Sequence, residues 1–168
     1  RMAIKTWGLA LKHAADDLRA SPSIVFEAVK KDGGALRYAA DDLRADRTIV
    51  LEAVKKNGLA FQYAANDLKA EPTIVLEAVK MHGCALRYAA DDLRADPTIV
   101  FEAVKTDGRA LQDAADVLKA DHTIVRQAIT SWGSWGTALE YAADELRADP
   151  SIVLEAVKMD GCALRYAA

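Results

Sequence analysis

Acidic pairs are the first residues here whose types suggest chemistry: Asp16-Asp17, Asp41-Asp42 and Asp91-Asp92, with Asn66-Asp67 and Asp144-Glu145 in register. Paired carboxylates hold metal ions or move protons only when their oxygens converge on one point. Adjacent residues on a helix point about 100° apart, so these pairs cannot converge. Arg19, Arg44, Arg94 and Arg147, with Lys69 and Lys119, follow within a few residues. The pattern predicts a solvated charge network between neighbouring segments instead. His13, His82 and His122 fall at unrelated positions and build no ligand cluster. Cys84 and Cys162 share a slot but lie too far apart for a disulfide within the chain, and they read as reduced thiols. A phosphate-binding glycine loop, HExxH, CxxC and a nucleophile elbow are all missing from the sequence. The expectation is therefore a chain that is not an enzyme, with no metal and no cofactor.

The aromatic residues carry a different message. All five tyrosines, Tyr38, Tyr63, Tyr88, Tyr141 and Tyr166, occupy one recurring slot, which His13 and Asp113 fill elsewhere. On a helical wheel the slot borders the apolar stripe. Its rings either pack on the next segment with a wet hydroxyl, or form a ladder that grips a partner. Trp132 and Trp135 lie at an irregular place where Asp113 replaces tyrosine, Val117 an acid, Arg126 a Leu or Phe, and Gln127 a glutamate. These indoles either fill the gap at a kink or mark a docking site. Tyr38, Tyr63, Tyr88, Tyr141, Tyr166, Asp113, Arg126, Trp132 and Trp135 are thus the candidate partner-binding residues.

What positions these residues is a repeat. Gly8, Gly33, Gly58, Gly83 and Gly108 are each 25 residues apart; Gly136 and Gly161 open two further units after three residues inserted near 133–135. Within the unit opening at Gly33, apolar residues fall at 35, 36, 39, 40 and 43, then at 49, 50, 53 and 54. Both halves have helical spacing. Ser21, Asp46, Glu71, Asp96, Asp121 and Asp149 stand at the N-cap of the second helix, and all four prolines follow such a residue at the first helical position. Pairs such as Asn57-Gly58 suggest a left-handed glycine ending each second helix. The prediction is helix, turn, helix, turn, with helices of about ten residues, too short to be stable alone. Stability must then come from stacking, giving an all-α fold: an α-solenoid of tandem 25-residue helix-turn-helix repeats. Residues 2–7 match the end of a second helix and residues 165–168 stop midway through a first one. The expectation is one continuous array that is part of a longer one.

The phrase Ala-Leu-Arg-Tyr-Ala-Ala-Asp-Asp-Leu-Arg-Ala-Asp at 35–46, with Ile-Val-Leu-Glu-Ala-Val-Lys at 49–55, resembles the repeat of the domain of unknown function 4116 family. The resemblance covers essentially the whole chain and departs most between Gly108 and the insertion. It implies tandem helical repeats, as found in unicellular eukaryotes, algae among them, and some bacteria; a plastid location is admitted by that resemblance alone. It implies no activity.

Function follows by exclusion. The chain carries 25 acidic and 22 basic residues, a net charge of -3, which disfavours reading nucleic acid one base per repeat. No apolar run is long enough to span a membrane. The leading expectation is a non-catalytic protein-interaction scaffold or accessory subunit of a larger assembly with protein partners. The alternative is the targeting arm of an enzyme whose catalytic domain lies elsewhere.

Overall fold

The computed structural model describes residues 7–131, 133, 134 and 136–168. The expected helix end before residue 7 and the roles of Trp132 and Trp135 lie outside the described residues. The chain forms an all-α solenoid of tandem repeats of about 25 residues. It divides into two compact units, Arg1–Met81 and His82–Ala168.

Each repeat has three pieces rather than two. In one, a 3-10 helix Gly33–Tyr38 is followed by a single α-turn Asp41–Arg44 and a long helix Arg47–Lys56. The first half was expected to be one ten-residue helix. It breaks at Ala39 and Ala40, whose ψ angles of 151° and 158° are extended. Alanine is the best helix former, so its own propensity does not cause this break. The Ala40 amide donates instead to Arg19 O of the preceding repeat, at 3.0 Å. Ala65 does the same to Arg44 O, Ala115 to Arg94 O, Ala143 to Lys119 O and Ala168 to Arg147 O. At each of these five junctions one backbone hydrogen bond ties successive repeats together where the chain changes direction.

The long helices begin as their sequence dictates. Asp46, Asp96, Asp121 and Asp149 each accept from two amides of the first turn, and proline opens four of these helices. Ser21 makes no such cap, its hydroxyl meeting that of Ser23 instead. Glu71 bonds to Arg47 of the preceding repeat. A second set of caps was not anticipated. Asp32, Asn57, Asp107 and Asp160 end one long helix and, through the side chain, cap the 3-10 helix that follows. His82 stands in this slot without capping.

The glycines after these caps are not left-handed, contrary to expectation; among the described residues only Gly133 and Gly136 have positive φ. Their role is close approach. A Cβ on Gly33 would lie 2.2 Å from Ala53 O, and one on Gly83 would lie 2.4 Å from Ala103 O. The 3-10 backbone therefore rests directly on the last turn of its own repeat's long helix. Fully buried Ala35, Ala53, Ala60 and Ala78 allow equally tight packing around Leu36, Phe61, Val50 and Val54. Each of those larger side chains contributes about 1.5–3 kcal/mol by burial.

The insertion preserves this packing by substitution. Ala128 O would ordinarily accept from an amide four residues on, as Ala103 O does from Asp107. Here the buried Ser134 hydroxyl donates to it at 2.7 Å, and Ser134 stands beside Gly108 as Asn57 stands beside Gly33. The left-handed Gly133 and Gly136 turn the chain on either side of that plug.

Candidate interaction surface

The 3-10 helix determines where the tyrosine slot lies. With three residues per turn, residues three apart share a face. Ala35 and Leu36 face the core, Arg37 is exposed and Tyr38 is half-buried. All five tyrosines are half-buried in this way. The Arg37 guanidinium lies 5.7 Å from the Tyr38 ring centre, and Arg165 lies 4.7 Å from that of Tyr166.

Two of the slot residues, Tyr63 and Asp113, open onto polar notches between consecutive short helices. In the first unit Tyr63 shares its notch with Arg44, Gln62 and Lys69, and burial together with Arg44 lowers the Lys69 ammonium. In the second unit Asp113 takes the tyrosine position in a notch with Arg94, Gln112 and Lys119. Asp113 is no loose carboxylate: its side chain is only 16% exposed and accepts from Arg87 Nε of the preceding repeat at 3.3 Å. That carboxylate holds the Arg87 guanidinium above its ordinary value.

Beside this pair lies a cluster that sequence reading missed. Buried Asp107 accepts from Arg109 Nε at 3.0 Å and Nη2 at 2.8 Å, from the Arg109 amide, and from Cys84 Sγ at 3.2 Å. Burial alone would raise the Asp107 carboxyl, but hydrogen bonds from Arg109 and Cys84 outweigh it and leave it low. Burial and the Asp107 carboxylate push the Cys84 thiol up to about 11. The signal was present in the spacing: Cys84 follows the glycine opening a repeat, Asp107 closes that repeat, and the same pairing places Gly33 against Asn57. Burial, the adjacent Glu140 and the neighbouring Tyr166 raise the Tyr141 hydroxyl, while Arg109 opposes them.

The remaining candidates fall elsewhere. Arg126 lies on a long helix, His122–Thr130, and pairs with Glu155 at 3.3 Å on the next long helix. The structure does not bring it to the tyrosine slots, which are on the 3-10 helices. Val117 is 70% exposed where other repeats carry an acid. The acidic pairs do not link repeats as expected. Their first members bind the arginine or lysine of their own short helix, as Asp91 does Arg94 and Asp116 does Lys119. Three residues is the only spacing a one-turn helix offers, and such exposed pairs contribute about 0–1 kcal/mol. Salt bridges between repeats come instead from Arg47–Glu71, Arg87–Asp113 and Arg126–Glu155. Among the described residues, no cluster of three metal-binding side chains occurs and no helix is long and apolar enough to cross a membrane.

Comparison with known families matches the profile described as Domain of unknown function (DUF4116) over residues 1–44, 22–69, 46–94, 72–119, 96–135 and 121–168. The chain belongs to this family. The overlapping matches tile the DUF4116 repeats from end to end, including the irregular one that carries Asp113. No curated protein and no solved structure matches. In the DUF4116 repeats seen here, stacking positions keep their residue types while the exposed slots around the notch change. Arg37, Gln62, Arg87, Gln112, Glu140 and Arg165 occupy one such slot.

Proposed function

We propose that this chain is a non-catalytic interaction module, a scaffold or accessory subunit that holds a protein partner along its 3-10 face. The observation that carries the reading is the notch. One buried framework of alanine, leucine and valine presents it repeatedly, and its accessible residues differ between the Tyr63 and Asp113 repeats. A half-buried tyrosine beside an arginine is well suited to protein contact, since its ring offers large area at small entropic cost. Non-catalysis is supported by how the polar groups are spent. Arg109 neutralises the buried Asp107, and the Cys84 thiol is pushed up to about 11, away from the thiolate a nucleophile needs.

The test is native-size fractionation of the endogenous protein followed by cross-linking mass spectrometry. The reading expects recovery in an assembly, with cross-links from lysines beside the notches such as Lys69 and Lys119. Tyr141→Ala should weaken the association while leaving far-UV circular dichroism unchanged. Recovery as a free species of its own mass, with no cross-link to another protein, would sink the proposal.

A further inference from the structure

Among the described residues each one-turn helix ends on a cation, and in all but one of them the acid three residues earlier holds it. Arg19 pairs with Asp16, Arg44 with Asp41, Arg94 with Asp91, Lys119 with Asp116 and Arg147 with Asp144. The exception is Asn66–Lys69, where an uncharged amide stands in the place of the acid. Lys69 accordingly has no ion pair among the described residues. It is half-buried all the same, in the notch it shares with Arg44, Gln62 and Tyr63. The charged groups lining that notch are Arg44 and Lys69 against Asp41 alone. In the Asp113 notch Arg94 and Lys119 stand against Asp91, Asp113 and Asp116, and Asp113 is held in addition by Arg87. The Tyr63 notch therefore holds an unmatched cation, whereas both cations of the Asp113 notch have their carboxylates.

We propose that the Tyr63 notch receives a carboxylate side chain, glutamate or aspartate, of a protein partner between Arg44 and Lys69. This rests on the reading of the chain as an interaction module, and it names what the partner presents there. Arg44 can take part because Asp41 engages it through one nitrogen, Nη2, while a guanidinium carries five N–H donors. Tyr63 lines the same space and brings a phenolic donor. Burial and the neighbouring Arg44 both lower the Lys69 ammonium, and an anion set between the two cations opposes that repulsion. The notch, about 320 Å³, suits a single side chain. A nucleic-acid backbone fits poorly, since it needs cations in a row and the corresponding notch at Asp113 is lined by more acids than bases.

The experiment titrates the intact chain, isotope-labelled for NMR, with a terminally blocked hexaglutamate peptide at low ionic strength. The expected result is saturable shifts concentrated at Arg44, Tyr63 and Lys69, weakened by added salt and not produced by hexaglutamine. Asn66→Asp is the decisive variant, because it supplies the acid that the other one-turn helices carry and so occupies Lys69 from within. The same residue type stands there in the other repeats, so the variant should fold. It should weaken binding about fivefold, the upper worth of an exposed ion pair, and Lys69→Met should do the same while keeping the length of the side chain. Lys119 is already paired with Asp116 at 3.0 Å, and Lys119→Met should leave binding unchanged.

Binding that survives both Asn66→Asp and Lys69→Met would overturn the proposal, as would no shift at millimolar peptide or shifts spread equally over the surface lysines. Inorganic phosphate that shifts the same three residues at lower concentration than hexaglutamate would make the notch a site for a free anion and overturn the stated occupant. If a partner cross-links beside the notches but hexaglutamate does not bind, the interaction reading stands and this inference fails alone.

Discussion

Replacing Gly33 by alanine would put a methyl carbon 2.2 Å from Ala53 O, and 3.1 Å from both the Cβ and the amide nitrogen of Asn57. A carbon and a carbonyl oxygen rest comfortably at about 3.3–3.6 Å, so one of them must move by roughly 1 Å. The obstacle is backbone and cannot swing aside as a side chain would. Ala53 is fully buried, and its carbonyl accepts from Asn57, the residue that caps the next 3-10 helix. Moving it disturbs the helix end and the cap together. Overpacking costs about 1–3 kcal/mol, and a weakened backbone hydrogen bond adds about 1 kcal/mol. The expected loss is therefore about 2–4 kcal/mol, or roughly 5–15 °C in Tm for a chain of this length. Gly161 is the internal control. It opens a 3-10 helix in the same way, but an added Cβ there meets nothing within 4 Å. Gly161→Ala should be neutral or stabilising by about 0.4–1 kcal/mol, through the unfolded chain. Thermal and urea unfolding followed by circular dichroism would measure both. Equal losses at the two sites would mean that the turn needs glycine for its backbone conformation, refuting the close-approach argument. No loss at Gly33 would show that the long helix yields at little cost.

Asp107→Asn should destabilise the chain at neutral pH by about 1.5–3 kcal/mol, the worth of its charged hydrogen bonds. Because the folded Asp107 carboxyl lies below its ordinary 3.8, its contribution is present above that value and lost as pH falls through the folded value. The gap in stability between parent and variant should thus narrow as pH falls below 3.8; a gap that does not change with pH would contradict the assignment. Asp46→Ala should cost about 1 kcal/mol by removing a cap that two amides use, whereas Ser21→Ala should change stability by only a few tenths. Comparable losses in the two variants would argue against the capping pattern. In iodoacetamide labelling near pH 8, exposed Cys162 should react well before Cys84, whose thiol burial and Asp107 push up to about 11. Asp107→Asn should speed Cys84 relative to Cys162, and equal rates in the parent would tell against the buried cluster.

Much of the molecule was legible because the repeat reports itself. The 25-residue spacing, the aspartates before the long helices and the prolines after them are local signals, and local chemistry is enough to read them. The apolar pairs Ile49-Val50 and Ala53-Val54 likewise identified the buried side of a long helix. The tyrosine slot was correctly placed at the border of the core, half-buried in every occurrence. The Arg87–Asp113 and Asp107–Cys84 contacts were not legible in one repeat alone, because each joins residues 23 or 26 apart.

The period, the caps, the apolar stripe and the all-α class are written in local chemistry, since each follows from which residues a short helix can start on, end on and bury. That Ala39 and Ala40 leave the helix emerges only when neighbouring repeats are packed. Their side chains favour continuing it, and the outcome turns on an amide that finds Arg19 O in the neighbouring repeat. The packing also decides what the glycines are for. A missing Cβ reads the same whether it permits a left-handed turn or a close approach, and only the carbonyl of Ala53 beside Gly33 distinguishes the two.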